Sequence, residues 1–129
     1  MNNKWIRVFL VLSVICLAGC SSSSKQSPEQ VVVDYLNAMV NHDSSLITTL
    51  STSDWEVNAS LDVDSLTNLD ASLTDVNCTA TSVEGDTAQV KCTGTLDLSY
   101  NDEVQNIQLD QFTYSLQKVN GSWLVNGRE

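Results

Sequence analysis

The sequence predicts an α+β domain in which N-terminal helices pack on a curved antiparallel sheet of about four strands. Three observations carry this prediction. Apolar residues recur at helical spacing between Pro28 and Leu50, they alternate with polar ones between Ala88 and Leu98, and hairpin signals stand at Glu84-Gly85-Asp86 and Asn120-Gly121.

The first helix opens at Ser27-Pro28-Glu29-Gln30, where a capping Ser, a Pro at the first helical position and a Gln at the third form a capping box. Val32, Leu36, Met39 and Val40, with Tyr35 alongside, then share one stripe. Asn41-His42-Asp43 ends that helix, and Asp43 is placed to cap a second short one carrying Leu46, Ile47 and Leu50. Ser53-Asp54-Trp55-Glu56 repeats the capping-box pattern and predicts a third short turn. Residues 58–70 mix both periods and stay open between helix and strand.

The second half changes period. Ala88, Val90, Cys92, Leu96 and Leu98 alternate with polar residues, which describes a strand with one buried face. Val76, Cys78 and Ala80 share that face on the preceding strand, and Asn101-Asp102 begins another turn. The following strand places Ile107 and Leu109 on one parity but Phe112, Tyr114 and Leu116 on the other, so the slip near Asp110-Gln111 predicts a bulge. Asn120-Gly121, a favoured hairpin dipeptide, returns Trp123-Leu124-Val125 along Gln117 and Leu116.

Composition limits the functions open to this domain. The 129 residues carry a net charge of −10, the wrong sign for displacing counterions from a polynucleotide, so no nucleic acid is expected as partner. A single His cannot build an imidazole zinc site. Asp62, Asp64 and Asp70 suggest a calcium loop, but counting from Asp62 puts Thr67 where Gly is required and Leu73 where Glu is required. No Gly-rich phosphate cradle and no Gly-x-Ser-x-Gly elbow is present. Hence no metal and no cofactor is expected.

The chain begins MNNKWIRVFLVLSVICLAGC. Lys4 and Arg7 precede eleven uncharged, mostly apolar residues, Val8 to Ala18, too few to span a bilayer but right for the core of a secretory signal. Leu17-Ala18-Gly19-Cys20 resembles the lipobox of bacterial lipoproteins. That resemblance implies a signal peptide over 1–19, acyl chains on Cys20, a Ser-rich tether over 20–27 and a single domain over 28–129. It further implies an exported protein, lipid-anchored to the bacterial cell membrane through Cys20. Ser21 after the Cys resembles outer-membrane sorting, which in a Gram-negative cell gives the periplasmic face of that membrane. Cleavage leaves Lys25, Lys91, Lys118 and Arg128 against all 16 acidic residues, a net of −12. An anionic leaflet repels such a body, so the acyl chains must supply the attachment.

Cys16 leaves with the signal, and Cys78 and Cys92 remain. Exported chains meet an oxidising compartment, where such thiols pair. A hairpin centred on Gly85 sets Cys78 opposite Cys92, close enough for a structural disulfide.

SPEQVVVDYLNAMVNHDSSLITTLS near the start and FTYSLQKVNGSWLV near the end resemble small exported members of the nuclear-transport-factor-two-like superfamily. The resemblance implies a cone-shaped fold with a curved sheet around the long first helix. It also implies that Tyr35 and Tyr114 face a cavity, and Trp55 belongs to the same aromatic set; by sequence placement alone, Asp34 and Asp54 are the nearest acids that could serve as a base. The plainer reading is that these aromatics fill a core. His42, the only His, belongs to a helix–helix turn. The expectation is therefore a non-enzymatic envelope lipoprotein that binds a small apolar ligand or another envelope protein. The alternatives are an isomerase- or hydrolase-like enzyme using the cone, and a structural acidic surface lipoprotein.

Overall fold

The computed structural model describes residues 25–129; the expected signal peptide over 1–19 and the expected lipidation position, Cys20, lie outside the described residues. The elements run α1 (Pro28–Val40), α2 (Ser44–Thr49), α3 (Glu56–Asp64), β1 (Asp70–Glu84), β2 (Thr87–Tyr100), β3 (Glu103–Gln108), β4 (Thr113–Val119) and β5 (Ser122–Arg128). All strand pairs are antiparallel, so the α+β architecture with helices leading is as the sequence predicts.

Local chemistry accounts for the helix ends. Ser27 accepts from the Gln30 amide at 3.3 Å, but the Gln30 side chain turns to Asp34 at 2.9 Å, so only half of the capping box forms. Glu29 in the first turn of α1 instead ties the helix to the sheet, its carboxylate accepting from the Ala80 amide of β1. Asp43 caps α2 through the Leu46 amide at 2.9 Å, and His42 occupies the turn before it in a left-handed conformation. Ser53 does not cap α3. The Trp55 and Glu56 amides both donate to the Thr52 carbonyl, so the chain turns once more and α3 starts two residues later than its capping box suggests. Residues 58–70 resolve as helix up to Asp64, two turns, and then β1.

Five strands form where about four were expected. The strand expected to carry a bulge at Asp110-Gln111 is two strands, parted by a 3-10 turn at Leu109–Gln111. β3 pairs with Thr95–Tyr100 of β2, and β4 pairs with Thr87–Lys91 on the same edge. Leu109 is 1% exposed, so the turn absorbs the parity slip while keeping the apolar side chain inside. The full sheet order is β1-β2-β4-β5, with β3 beside the far half of β2.

The Cys78–Cys92 disulfide forms across the first hairpin. Its register has an added feature. Gly85 and Asp86 make a two-residue turn between the paired Glu84 and Thr87, and an extra residue at Thr81 then shifts the ladder so that Cys78 meets Cys92. Closing that loop stabilises the fold by roughly 3 kcal/mol in the chain-entropy model. A second bulge sets Asp75 and Val76 opposite Gly94. A side chain there is excluded, because a Cβ on Gly94 would lie 2.6 Å from the Thr74 carbonyl oxygen. These bulges bend β1 and β2 around α1, which is what a wrapped sheet requires.

Candidate functional site

The buried face of α1 supplies Val31, Val32, Tyr35, Leu36 and Met39 to the core between helices and sheet. At the C-terminal end of α1 this packing is incomplete. A cavity of about 210 Å³ remains, walled by α1, the end of α3, the far half of β2, β3 and the start of β4. Leu36, Met39, Leu66, Leu96, Ile107 and Phe112 make most of its wall, and its polar lining consists of Asp62, Ser65, Tyr114 and Arg128.

Asp62 anchors a relay of hydrogen bonds. Both of its oxygens accept from Arg128, at 2.9 and 3.0 Å, in a two-pronged pair. The Tyr35 hydroxyl donates to Asp62 Oδ2 at 2.8 Å and accepts from Trp55 Nε1 at 3.1 Å. Arg128 also lies over the Phe112 ring, 5.2 Å from its centre, which suits a guanidinium's flat, weakly hydrated face. Burial is the largest single influence and draws the Arg128 pKa down, but the Asp62 charge, Tyr114 and the hydrogen bonds to both together outweigh it, so the guanidinium is held above its ordinary value. It stays charged throughout.

A backbone irregularity aims Arg128 inward. Trp123 and Val125 are the buried positions of β5, and simple alternation would bury Gly127 next. The ladder instead steps from Leu116–Val125 to Ser115–Gly127, leaving Asn126 as an extra residue. That step inverts the parity and sets Arg128 opposite Tyr114. The extra Asn126 is itself held, since its side-chain oxygen accepts from the Thr52 hydroxyl at 2.8 Å.

The aromatic set is brought together, in unequal roles. Tyr114 lines the cavity, whereas Tyr35 and Trp55 are not in its wall and reach it through Asp62. The Tyr35 and Tyr114 rings meet edge to face, 6.1 Å apart. Neither acid suggested by sequence placement is at the site. Asp34 is bound by Gln26 and Gln30, and Asp54 is exposed in the turn before α3. Sequence reasoning missed Asp62 and Arg128. A signal for each existed: Asp62 falls on the helical stripe Ala59-Val63-Leu66, and Arg128 is the single Arg after residue 7.

The two buried tyrosines make stability depend on alkaline pH. Burial, followed by the Asp62 charge, pushes the Tyr35 pKa far above its ordinary 10, and burial raises Tyr114 as well. Above pH 10 the unfolded chain therefore loses protons that the folded chain keeps. Stability is complete below that pH and falls as pH rises, by about 1.4 kcal/mol per pH unit for Tyr35, with Tyr114 adding to the loss in the same direction. Urea titrations between pH 8 and about 11.5 should show this slope, with Tyr35→Phe making it clearly shallower. An equal slope in that variant would disprove the assignment.

No protein-family model and no curated protein matches the sequence. Solved structures do match in fold. An NTF2-like protein with a cystatin-like fold from Novosphingobium aromaticivorans superposes with a TM-score of 0.56 at 15% identity, over 78% of this chain and 76% of that one. A proposed dehydratase of the NTF2-like family from Streptomyces avermitilis gives 0.54 at 16%, over 74% and 86%. A proposed scytalone dehydratase from N. aromaticivorans gives 0.58 at 14%, over 78% of both chains. The chain has the NTF2-like, cystatin-like fold, and at such identities the likeness is one of fold alone.

Proposed function

We propose that this protein is a membrane-anchored bacterial envelope lipoprotein whose domain binds a small, largely apolar ligand in the cavity at the end of α1. The observation that carries this reading is the state of the cavity's one carboxylate. A general base turns toward the substrate's proton and loosens its other hydrogen bonds as it takes that proton. Asp62 is clamped by a permanent cation and by the Tyr35 hydroxyl, and removing it from either would leave a partly buried group without a partner. Such an arrangement serves as a charge-balanced polar end to an apolar chamber. Binding therefore accounts for the geometry better than acid–base chemistry, although two of the fold neighbours are proposed dehydratases. The lipobox supports the anchored setting, and an intramolecular disulfide suits the oxidising compartment that it implies.

Titration with N-phenylnaphthylamine, which brightens in apolar surroundings, tests the chamber. The wild-type domain is expected to bind it saturably. Ile107→Trp, on a half-buried position of the cavity wall, should fill the space and weaken binding at least tenfold while leaving the fold intact. Undiminished binding by a folded Ile107→Trp protein would sink the reading.

A further inference from the structure

Beside the cavity lies a second hollow of about 180 Å³, formed by Leu69 and the β2–β3 hairpin. The two hollows have Leu69 and Leu98 in common. Each alone falls below the roughly 300–1,000 Å³ of a drug-sized site, and together they fall within it. The outer hollow is lined by Tyr100 and Val104, which are 57% and 66% exposed. Large apolar side chains bared at the mouth of an apolar chamber lower their free energy when covered, by about 25 cal/mol for each Å² removed from water.

Resting on the binding function proposed above, we infer that the ligand is an uncharged, linear amphiphile. Its hydroxyl-type head meets Asp62 and Arg128, and its alkyl chain passes between Leu69 and Leu98 to lie against Tyr100 and Val104. Charge selects the head. Asp62 and Arg128 cancel one another, so an anionic head would meet the Asp62 carboxylate and a cationic one the Arg128 guanidinium. A hydroxyl fits both. Arg128 gives one N–H from each terminal nitrogen to Asp62 and has further N–H groups to offer, and Asp62 has lone-pair capacity beyond its three donors. Charge also speaks against an anion at the other end. Glu103 is the single charged residue lining the outer hollow, and the whole chain carries −10. The path is set by the fold. Leu98 projects from β2 opposite Gln105, and Leu69 ends the segment that joins α3 to β1, so the pair forms a waist between the two hollows.

The test measures hexanol, decanol and decanoate binding by displacement of N-phenylnaphthylamine. Hexanol should fill the inner chamber alone, and each further methylene should tighten binding roughly fourfold, from the transfer free energy of a buried CH₂. Decanol is thus expected to bind about 200-fold more tightly than hexanol, and decanoate at least tenfold more weakly than decanol. The double variant Tyr100→Thr with Val104→Thr keeps strand-forming residues at both exposed positions. It should leave hexanol unchanged and cut the decanol advantage at least tenfold. Decanol binding no tighter than hexanol, a full advantage surviving in the double variant, or decanoate binding more tightly than decanol would each overturn this inference while leaving the chamber itself in place. Failure of hexanol and of the fluorophore to bind at all would instead remove the cavity reading on which it rests.

Discussion

Asp62→Ala is expected to lower the free energy of unfolding by about 3 kcal/mol. The magnitude follows from what the substitution strands. Exposed ion pairs are worth at most about 1 kcal/mol, because water solvates each partner when the other is gone. Here the side chains of Arg128 and Asp62 are only 27% and 13% exposed, and the guanidinium lies over the Phe112 ring. Without Asp62 the cation stays partly buried and uncompensated, and the Tyr35 hydroxyl loses its acceptor. Replacing both partners by apolar residues, Asp62→Leu with Arg128→Met, removes the charge together with its counter-charge and should cost less than the single change. Urea unfolding with the disulfide intact measures all three proteins. A loss below about 1 kcal/mol for Asp62→Ala, or a double variant worse than the single, would show that the pair behaves as a surface contact.

Cys20→Ser is expected to move the protein from the membrane fraction to the soluble one. Nothing among the described residues offers comparable attachment. Among the described residues no helix is long and apolar enough to cross a membrane. A body with four basic and 16 acidic residues is repelled by anionic lipid. Two or more acyl chains hold a protein stably where one holds it only marginally, so their loss should act almost as a switch. Labelled palmitate should enter the wild type and be absent from the variant. An N-terminal mass measurement separates a released, processed chain from one that keeps its signal. A wild-type protein that takes up no label, with residues 1–19 still attached, would remove the anchor and the exported setting with it.

Much of the fold was legible residue by residue. Ser27 and Asp43 announced their helices because capping depends on side chains next to the amides they satisfy. Asn101-Asp102 and Asn120-Gly121 announced their hairpins because both residues of each pair adopt the left-handed conformation that such turns demand. Cys78 and Cys92 were paired by counting back from a turn, and the count held because the bulge at Thr81 restores the symmetry that a two-residue turn would have broken. The third helix was less legible. Its start was set by the Thr52 carbonyl, held against β5 from 73 residues away, and not by Ser53.

The candidate site was legible only in part. Tyr35, Trp55 and Tyr114 could be named because large aromatics on buried stripes must meet somewhere in a small domain. Their division into one wall residue and two supports could not. Neither could the partnership of Asp62 with Arg128, residues 66 positions apart, each on an element with ordinary local signals. Local chemistry, acting over four or five residues, determined the helices, the strands, their turns and the aromatic positions. What Arg128 faces was decided by one extra residue at Asn126, and which strand β3 joins was decided by a 3-10 turn at Leu109. Both are compromises between side-chain parity and the curvature of a sheet wrapped around α1, a quantity that exists only once the strands are together.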